Sequence, residues 1–312
     1  MIDVNMPHDE YRALEHLGST DISRILENAA LFHAIRSGTY QESKEAFEFG
    51  RAFHLKLLEP EKFEDEVMVV GNSSLRLQEI ARNGNFLVAP CRGKTAKVYK
   101  EMVEAHPDQE ILIEQEAEIV MLFAENAGKA FITQDTFHAI ERCVKNALAV
   151  KGFADFIAGG RKEQSYEGEI DGVKVKARCD LVVDRPGGKV LVFDPKTTGK
   201  DATERTFVSS SAAHGYYRQE WLYTEVLRQN GILAEDYIFL LCSSLEYSGA
   251  QYYKHGHIEM ERAEEEVKKA VQKYKYCRDH DEWGEGKFNY AENKFEIVSE
   301  VTLPTYIFYR YE

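Results

Sequence analysis

The stretch VFDPKTTGK, residues 192–200, ends an apolar run with an aspartate, a proline and a lysine. Asp194 and Lys196 are two apart, so in an extended chain they share one face. A second carboxylate, Asp180, lies in GVKVKARCDLVVD. Between the two runs, Pro186-Gly187-Gly188 is a turn signal. A hairpin folded there makes Asp180 and Asp194 cross-strand neighbours, about 5 Å apart. Two carboxylates so close repel, and each raises the other's pKa unless a cation sits between them. Oxygen-rich clusters of this kind suit Mg²⁺ or Mn²⁺. A lysine beside them can neutralise developing charge or help deprotonate a water, which together is the equipment of metal-assisted phosphodiester hydrolysis. Pro195 has no N–H for a ladder but keeps a carbonyl that could face the metal. The competing reading is a solvated hairpin with ion pairs worth about 0–1 kcal/mol each, and spacing alone does not separate the two.

These residues need strands to carry them. EQSYEGEI and GVKVKARCDLVVD alternate with period two, Asp171-Gly172 between them is a hairpin turn signal, and KVLVFD is a third strand. In the middle strand Val173, Val175, Ala177, Cys179 and Leu181 share a face that reads as buried. Lys174, Lys176, Arg178 and Asp180 share the other, a basic stripe ending in a carboxylate. DYIFLLCSS and GAQYYKHGHI read as two further strands. Helical patterns cover most of residues 1–160, and return at 201–212, 215–230 and in MERAEEEVKKAVQKYKYCRD. Ser19-Thr20-Asp21 offers an N-cap, Ser43 another. The stretch GNSSLRLQEIARNGNFLVAPCRGKT reads as a mobile polar loop. The expectation is an α/β chain with a central mixed sheet flanked by helices. It forms one domain over 1–312, with a helical part to 160, a catalytic core at 161–256 and a C-terminal helix with extension at 257–312.

The composition, 44% hydrophobic and 12% aromatic over 312 residues, is ordinary globular. Five cysteines, scattered and never CxxC, argue against a disulfide scaffold or an iron–sulfur site and fit a reducing cytosol. The polar N-terminus and the lack of an apolar run near 18 residues argue against a secretory signal or a membrane span, so a cytoplasmic protein is expected. The net charge of −14 speaks against nucleic acid. Yet residues 161–200 hold nine Lys/Arg against seven acids, a basic window inside an acidic chain.

The five pieces FGRAFH (Gly50 to His54), Glu163 in EQSYEG, KARCD, DPKTT and Gln219 to Tyr223 in QEWLY occur in the order of a known pattern. The chain resembles the PD-(D/E)xK nuclease superfamily. Its closest likeness is to the RecE-type exonucleases (exodeoxyribonuclease VIII), with the RecB nuclease and lambda exonuclease more distant. The resemblance covers about 50–230. It implies a restriction-endonuclease-like core and a Mg²⁺-dependent (or Mn²⁺-dependent) 5′→3′ exonuclease that leaves 3′ single-stranded tails on linear duplex DNA. His54, Asp180 and Asp194 would bind metal with the Pro195 carbonyl, Lys196 would stabilise or activate the attacking water, and Glu163 would hold a second ion or a water on the metal. Gln219 and Tyr223 would position the DNA strand, with Lys174, Lys176, Arg178 and Thr197 as further DNA contacts. Relatives form homo-oligomeric rings around DNA and work with a RecT-like single-strand annealing protein. Cys179 stands where a proline often precedes the second acid, and Pro195 replaces an apolar residue. The rival is an inactive DNA-binding or structural protein retaining the fold, which would be expected to have lost an acid or the lysine.

Other signals are weaker. RGKT at 92–95 lacks the glycine five positions before Gly93, since Val88 stands there. Arg92, Lys94, Lys97 and Lys100 read as a solvated helix face. His255 and His257 read as lone surface histidines, and Tyr216, Tyr217 and Trp221 as core aromatics in preference to base-stacking platforms.

Overall fold

The computed structural model describes residues 4–40, 45–71, 75–284 and 286–296. The chain opens with α1 (His8–Ala13), α2 (Ser19–Glu27), α3 (Ala29–Arg36), α4 (Glu45–Leu58) and α5 (Phe63–Glu66). A lobe of short elements follows: β1 (Val67–Val70), α6 (Leu75–Asn83), β2 (Phe86–Ala89), α7 (Lys97–Ala105), β3 (Glu110–Ile113), α8 (Glu114–Glu125) and β4 (Ala130–Thr133). Next come α9 (Gln134–Ala149), α10 (Phe153–Gly159), β5 (Arg161–Ile170), β6 (Val173–Arg185) and β7 (Lys189–Thr198). The chain continues through α11 (Glu204–His214), α12 (Tyr216–Gln229), β8 (Leu233–Ser243), β9 (Ala250–Tyr253), α13 (His257–His280), β10 (Phe288–Asn289) and β11 (Lys294–Phe295).

The central sheet has five strands in the order β5-β6-β7-β8-β9. β7 and β8 run parallel and the other pairs antiparallel. A parallel pair needs a long crossover, and α11 with α12 supplies it. Asp171 (φ 48°) and Gly172 (φ 81°) both adopt the left-handed conformation that a tight two-residue hairpin requires. The β6–β7 turn uses Gly187 (φ 82°) and Gly188 (φ 75°) in the same way.

Each face of the sheet buries its own core. On one side α2, α12 and α13 cover Val173, Val175, Ala177, Cys179, Val190, Val192 and Phe239. On the other, α4, α9 and α10 cover Leu181, Phe193, Leu240 and Cys242. A third, smaller core around Leu112, Val120, Phe123 and Phe131 belongs to the β1–β4 lobe. Alternation along β6 slips at Asp180. Cys179 and Val182 pack in one core and Leu181 in the other, so Leu181 does not share the face of Val173 and Cys179 as the simple period predicts.

Other expectations are corrected too. The stretch read as a mobile loop contains α6 and β2; its residues 72–74 and the Ser43 cap lie outside the described residues. Pro195 does not end its strand, because β7 runs on to Thr198. The β6–β7 ladder stops at Leu181–Phe193, and beyond it β7 pairs with β8. The proline's missing N–H is tolerated there, on a stretch laddered on one side. The helix expected after Ser19 is two helices, with Asp21 accepting from Gly18 N at the first start and Asn28 accepting from Leu31 N at the second. Among the described residues no helix is long and apolar enough to cross a membrane.

Candidate metal centre

Three strands bring the acids together, and one helix brings a histidine to them. The β6–β7 register pairs Leu181 with Phe193, so Asp180 and Asp194 face each other one step further on. Glu163 approaches from β5. It takes a left-handed backbone, φ 52°, at a cost of about 1–2 kcal/mol for a non-glycine residue, and the ladder pairs its neighbours Lys162 with Leu181 and Gln164 with Cys179. His54 arrives on α4, its Nδ1 3.4 Å from Asp180 Oδ2. The backbone of Pro195 lies close enough to the His54 ring to influence its titration. One ligand atom each from His54, Glu163 and Asp180 lie within 4.8 Å of one another.

Asp194 is the most enclosed of these groups, its side chain 2% exposed. Its Oδ2 accepts from Gln219 Nε2 at 2.5 Å and from the Tyr237 hydroxyl at 2.6 Å. Its Oδ1 lies 2.7 Å from Lys196 Nζ, an ion pair by distance whose alignment is too poor for a hydrogen bond, leaving a buried oxygen without a donor. Burial first, then the charges of Asp194 and Glu163, push the Asp180 carboxyl well above the usual carboxylate range. Burial lowers the His54 pKa, opposed in part by Glu163. Burial also works against the Lys196 ammonium, but Asp194 and Asp180 outweigh it and hold its pKa above the ordinary value. The site thus joins a histidine whose protonation burial disfavours, three crowded acids that resist full ionisation, and a buried Asp194 oxygen without a hydrogen-bond donor. A divalent cation among them would relieve that crowding.

Comparison with known proteins agrees with this geometry. A family model described as a PDDEXK-like domain of unknown function (DUF3799) matches residues 18–293. The chain belongs to that family. Among solved structures, that of a suspected exonuclease from Eubacterium rectale shares the fold, with a TM-score of 0.53 at 11% identity, over 89% of this chain and 88% of that one. A phage-related exonuclease from Haemophilus somnus 129PT matches over 69% of this chain and 96% of its own, at 15% identity. Its TM-score of 0.31 carries no argument. No curated protein matches the chain.

Within this PDDEXK-like fold the expected DNA contacts divide. Thr197 is half-buried on β7 and Lys174 is exposed, opposite Glu169. Lys176 is not on an open stripe. It is 6% exposed, and its Nζ donates to the carbonyls of Tyr11 at 2.8 Å and Leu14 at 2.9 Å. Arg178 is spent on Glu163 Oε2 at 2.7 Å, the Met6 carbonyl at 2.8 Å and Ser165 Oγ at 2.7 Å. The N-terminal segment covers the stripe, with Leu17 bridging Val175 and Val4 O accepting from Ser165 N. Gln219 points at Asp194 instead of outward. Tyr223 is 7% exposed, hydrogen-bonded to Tyr11 and in edge contact with Tyr237. These two residues orient a metal-site carboxylate and its surroundings; a buried phenol offers no surface to a DNA strand. Tyr216 lies half-buried against the core with Lys196 Nζ 5.1 Å from its ring centroid.

The sequence reading missed Tyr237, which sits in an unremarkable apolar strand. It also misplaced His255. That residue lies beyond β9 and is buried, with Nδ1 2.6 Å from Glu220 Oε2 and Nε2 2.6 Å from Ser211 Oγ. His257 is at the surface, as expected. Serine, histidine and acid at these distances match the nucleophile–base–orienter geometry. Ser211 is 5% exposed inside α11, so a substrate has no access, and the trio ties α11 and α12 to the chain after β9.

Proposed function

We propose that the chain is a divalent-metal-dependent exonuclease that hydrolyses phosphodiester bonds of linear double-stranded DNA. The observation that carries the reading is the convergence of His54, Glu163 and Asp180 ligand atoms within 4.8 Å beside an Asp194–Lys196 ion pair. His54, Asp180 and Glu163 would hold the ion, with the Pro195 carbonyl and Asp194 Oδ1 at its edge. When bound, Mg²⁺ or Mn²⁺ supplies a Lewis acid for the phosphate and a water of lowered pKa. Asp180 would bind the ion as a carboxylate. Lys196 stays an ammonium, because its pKa is raised; it donates to the phosphate and offsets charge there, and it does not serve as the base. Gln219 and Tyr237 fix Asp194, which in turn fixes Lys196.

The 5′→3′ direction, 3′ tails for strand annealing, a ring of copies, a RecT-like partner and a cytoplasmic location belong to the same reading through the sequence resemblance. The test is release of nucleotides from linear duplex DNA with Mg²⁺ against EDTA, for the wild type and Lys196→Ala. Metal-dependent release lost in the variant is expected. No release from the wild type would remove the nuclease reading, and release unchanged in the variant would remove the site assignment.

A further inference from the structure

We infer that Arg178 is a built-in cation standing where a second divalent ion would otherwise be needed, so that the site takes one metal ion per chain. The inference rests on the metal reading above.

Three carboxylates, Glu163, Asp180 and Asp194, meet two cations held against them, Arg178 and Lys196. Fully ionised, the group carries one net negative charge. One divalent ion turns that into one positive charge, which matches the single negative charge of a phosphodiester. A second divalent ion would leave three positive charges in a partly buried site, and like charges brought together there repel strongly.

The geometry also takes Glu163 out as a bridge between two ions. A bridging carboxylate uses both of its oxygens, and Glu163 has given one to Arg178 Nε at 2.7 Å. Arg178 has no room to withdraw. Its side chain is 12% exposed, Nη1 donates to Met6 O at 2.8 Å and to Ser165 Oγ at 2.7 Å, and the guanidinium lies 5.7 Å from the centre of the Tyr11 ring. Nor does it lose its charge, since arginine stays protonated in proteins. The N-terminal segment that holds it is itself pinned by Lys176 and by the Leu17–Val175 bridge. The left-handed backbone at Glu163 presents its carboxylate to Arg178 and Asp180 together.

Manganese(II) alone, titrated calorimetrically into the full chain, tests this. The wild type is expected to bind one ion per chain. Arg178→Gln removes the cation but keeps a hydrogen-bonding group; it is expected to bind a second ion, or to bind the first about tenfold tighter or more, because a nearby positive charge is gone. Arg178→Lys keeps the charge and is expected to retain one ion. Two ions in the wild type overturn the inference, as does an Arg178→Gln variant that binds one ion with unchanged or weaker affinity. Should that variant not fold, the wild-type stoichiometry decides alone. A wild type that binds no manganese removes the metal reading itself, an outcome distinct from the binding of two ions.

Discussion

His54 and His255 both sit beside carboxylates, and their surroundings differ in kind. His54 lies 3.4 Å from Asp180 with its side chain 25% exposed, in a cluster where Asp194 Oδ1 has no hydrogen-bond donor. His255 lies 2.6 Å from Glu220 with its side chain 8% exposed, and its other nitrogen is met by Ser211. The first cluster crowds three acids together and leaves an oxygen without a hydrogen-bond donor. The second is closed, with every ring nitrogen and the facing carboxylate oxygen in use. A buried polar group left incomplete marks a place for a ligand, whereas a complete one holds the fold together.

That contrast can be broken by mutation. Lys196→Ala is expected to lower the turnover of linear duplex DNA by its folded fraction about 10²–10⁴-fold, the range for a group acting on the transition state. His255→Ala is expected to leave turnover by the folded fraction intact. It strands the buried Glu220 carboxylate, which costs about 3–5 kcal/mol of stability, measurable by urea unfolding, while manganese binding by the folded fraction is unaltered. Loss of manganese binding without loss of stability would merge the two clusters into one functional unit.

Asp180→Asn sharpens the comparison further. The raised pKa of Asp180 means that the folded chain keeps a proton the unfolded chain has released. Stability in EDTA therefore falls as pH rises from the unfolded value of about 3.9 through the folded one. Asp180→Asn is expected to flatten this slope and to raise stability at neutral pH. Mg²⁺ is expected to flatten it in the wild type, as seen by melting temperature across pH 5–8. An unchanged slope in Asp180→Asn would assign the proton elsewhere. The smallest effect is expected from Ser211→Ala, about 1 kcal/mol for one lost hydrogen bond, with nuclease activity intact. A loss of activity there would make Ser211 more than a tie between helices.

Much of the fold was legible because period-two runs leave a local mark. β5, β6, β7 and β8 stand where alternation and the Asp171-Gly172 turn put them. The pairing of Asp180 with Asp194 followed from one hairpin, and Asp-x-Lys from one strand face. The stripe of Lys174, Lys176 and Arg178 misled, because period two says which residues share a face and not what covers it. Its cover comes from Met6, Tyr11 and Leu14, more than 150 residues away in the chain. His255 misled for the same reason: Ser211 and Glu220 reach it from two separate helices.

What the amino-acid order determined by itself was the set of chemical groups and their local geometry: a lysine two residues after an aspartate on one strand, an acid one hairpin away, and a histidine on an amphipathic helix. Local backbone periodicity is enough for that. Only the tertiary structure decided which groups are satisfied. It turned Lys176 and Arg178 from a surface for DNA into anchors for the N-terminal segment, and Gln219 from an outward contact into the clamp on Asp194. It also closed His255 and left His54 open. Desolvation and hydrogen-bond completion depend on every chain segment that arrives at a site, and those arrivals are set by the packing of the whole sheet.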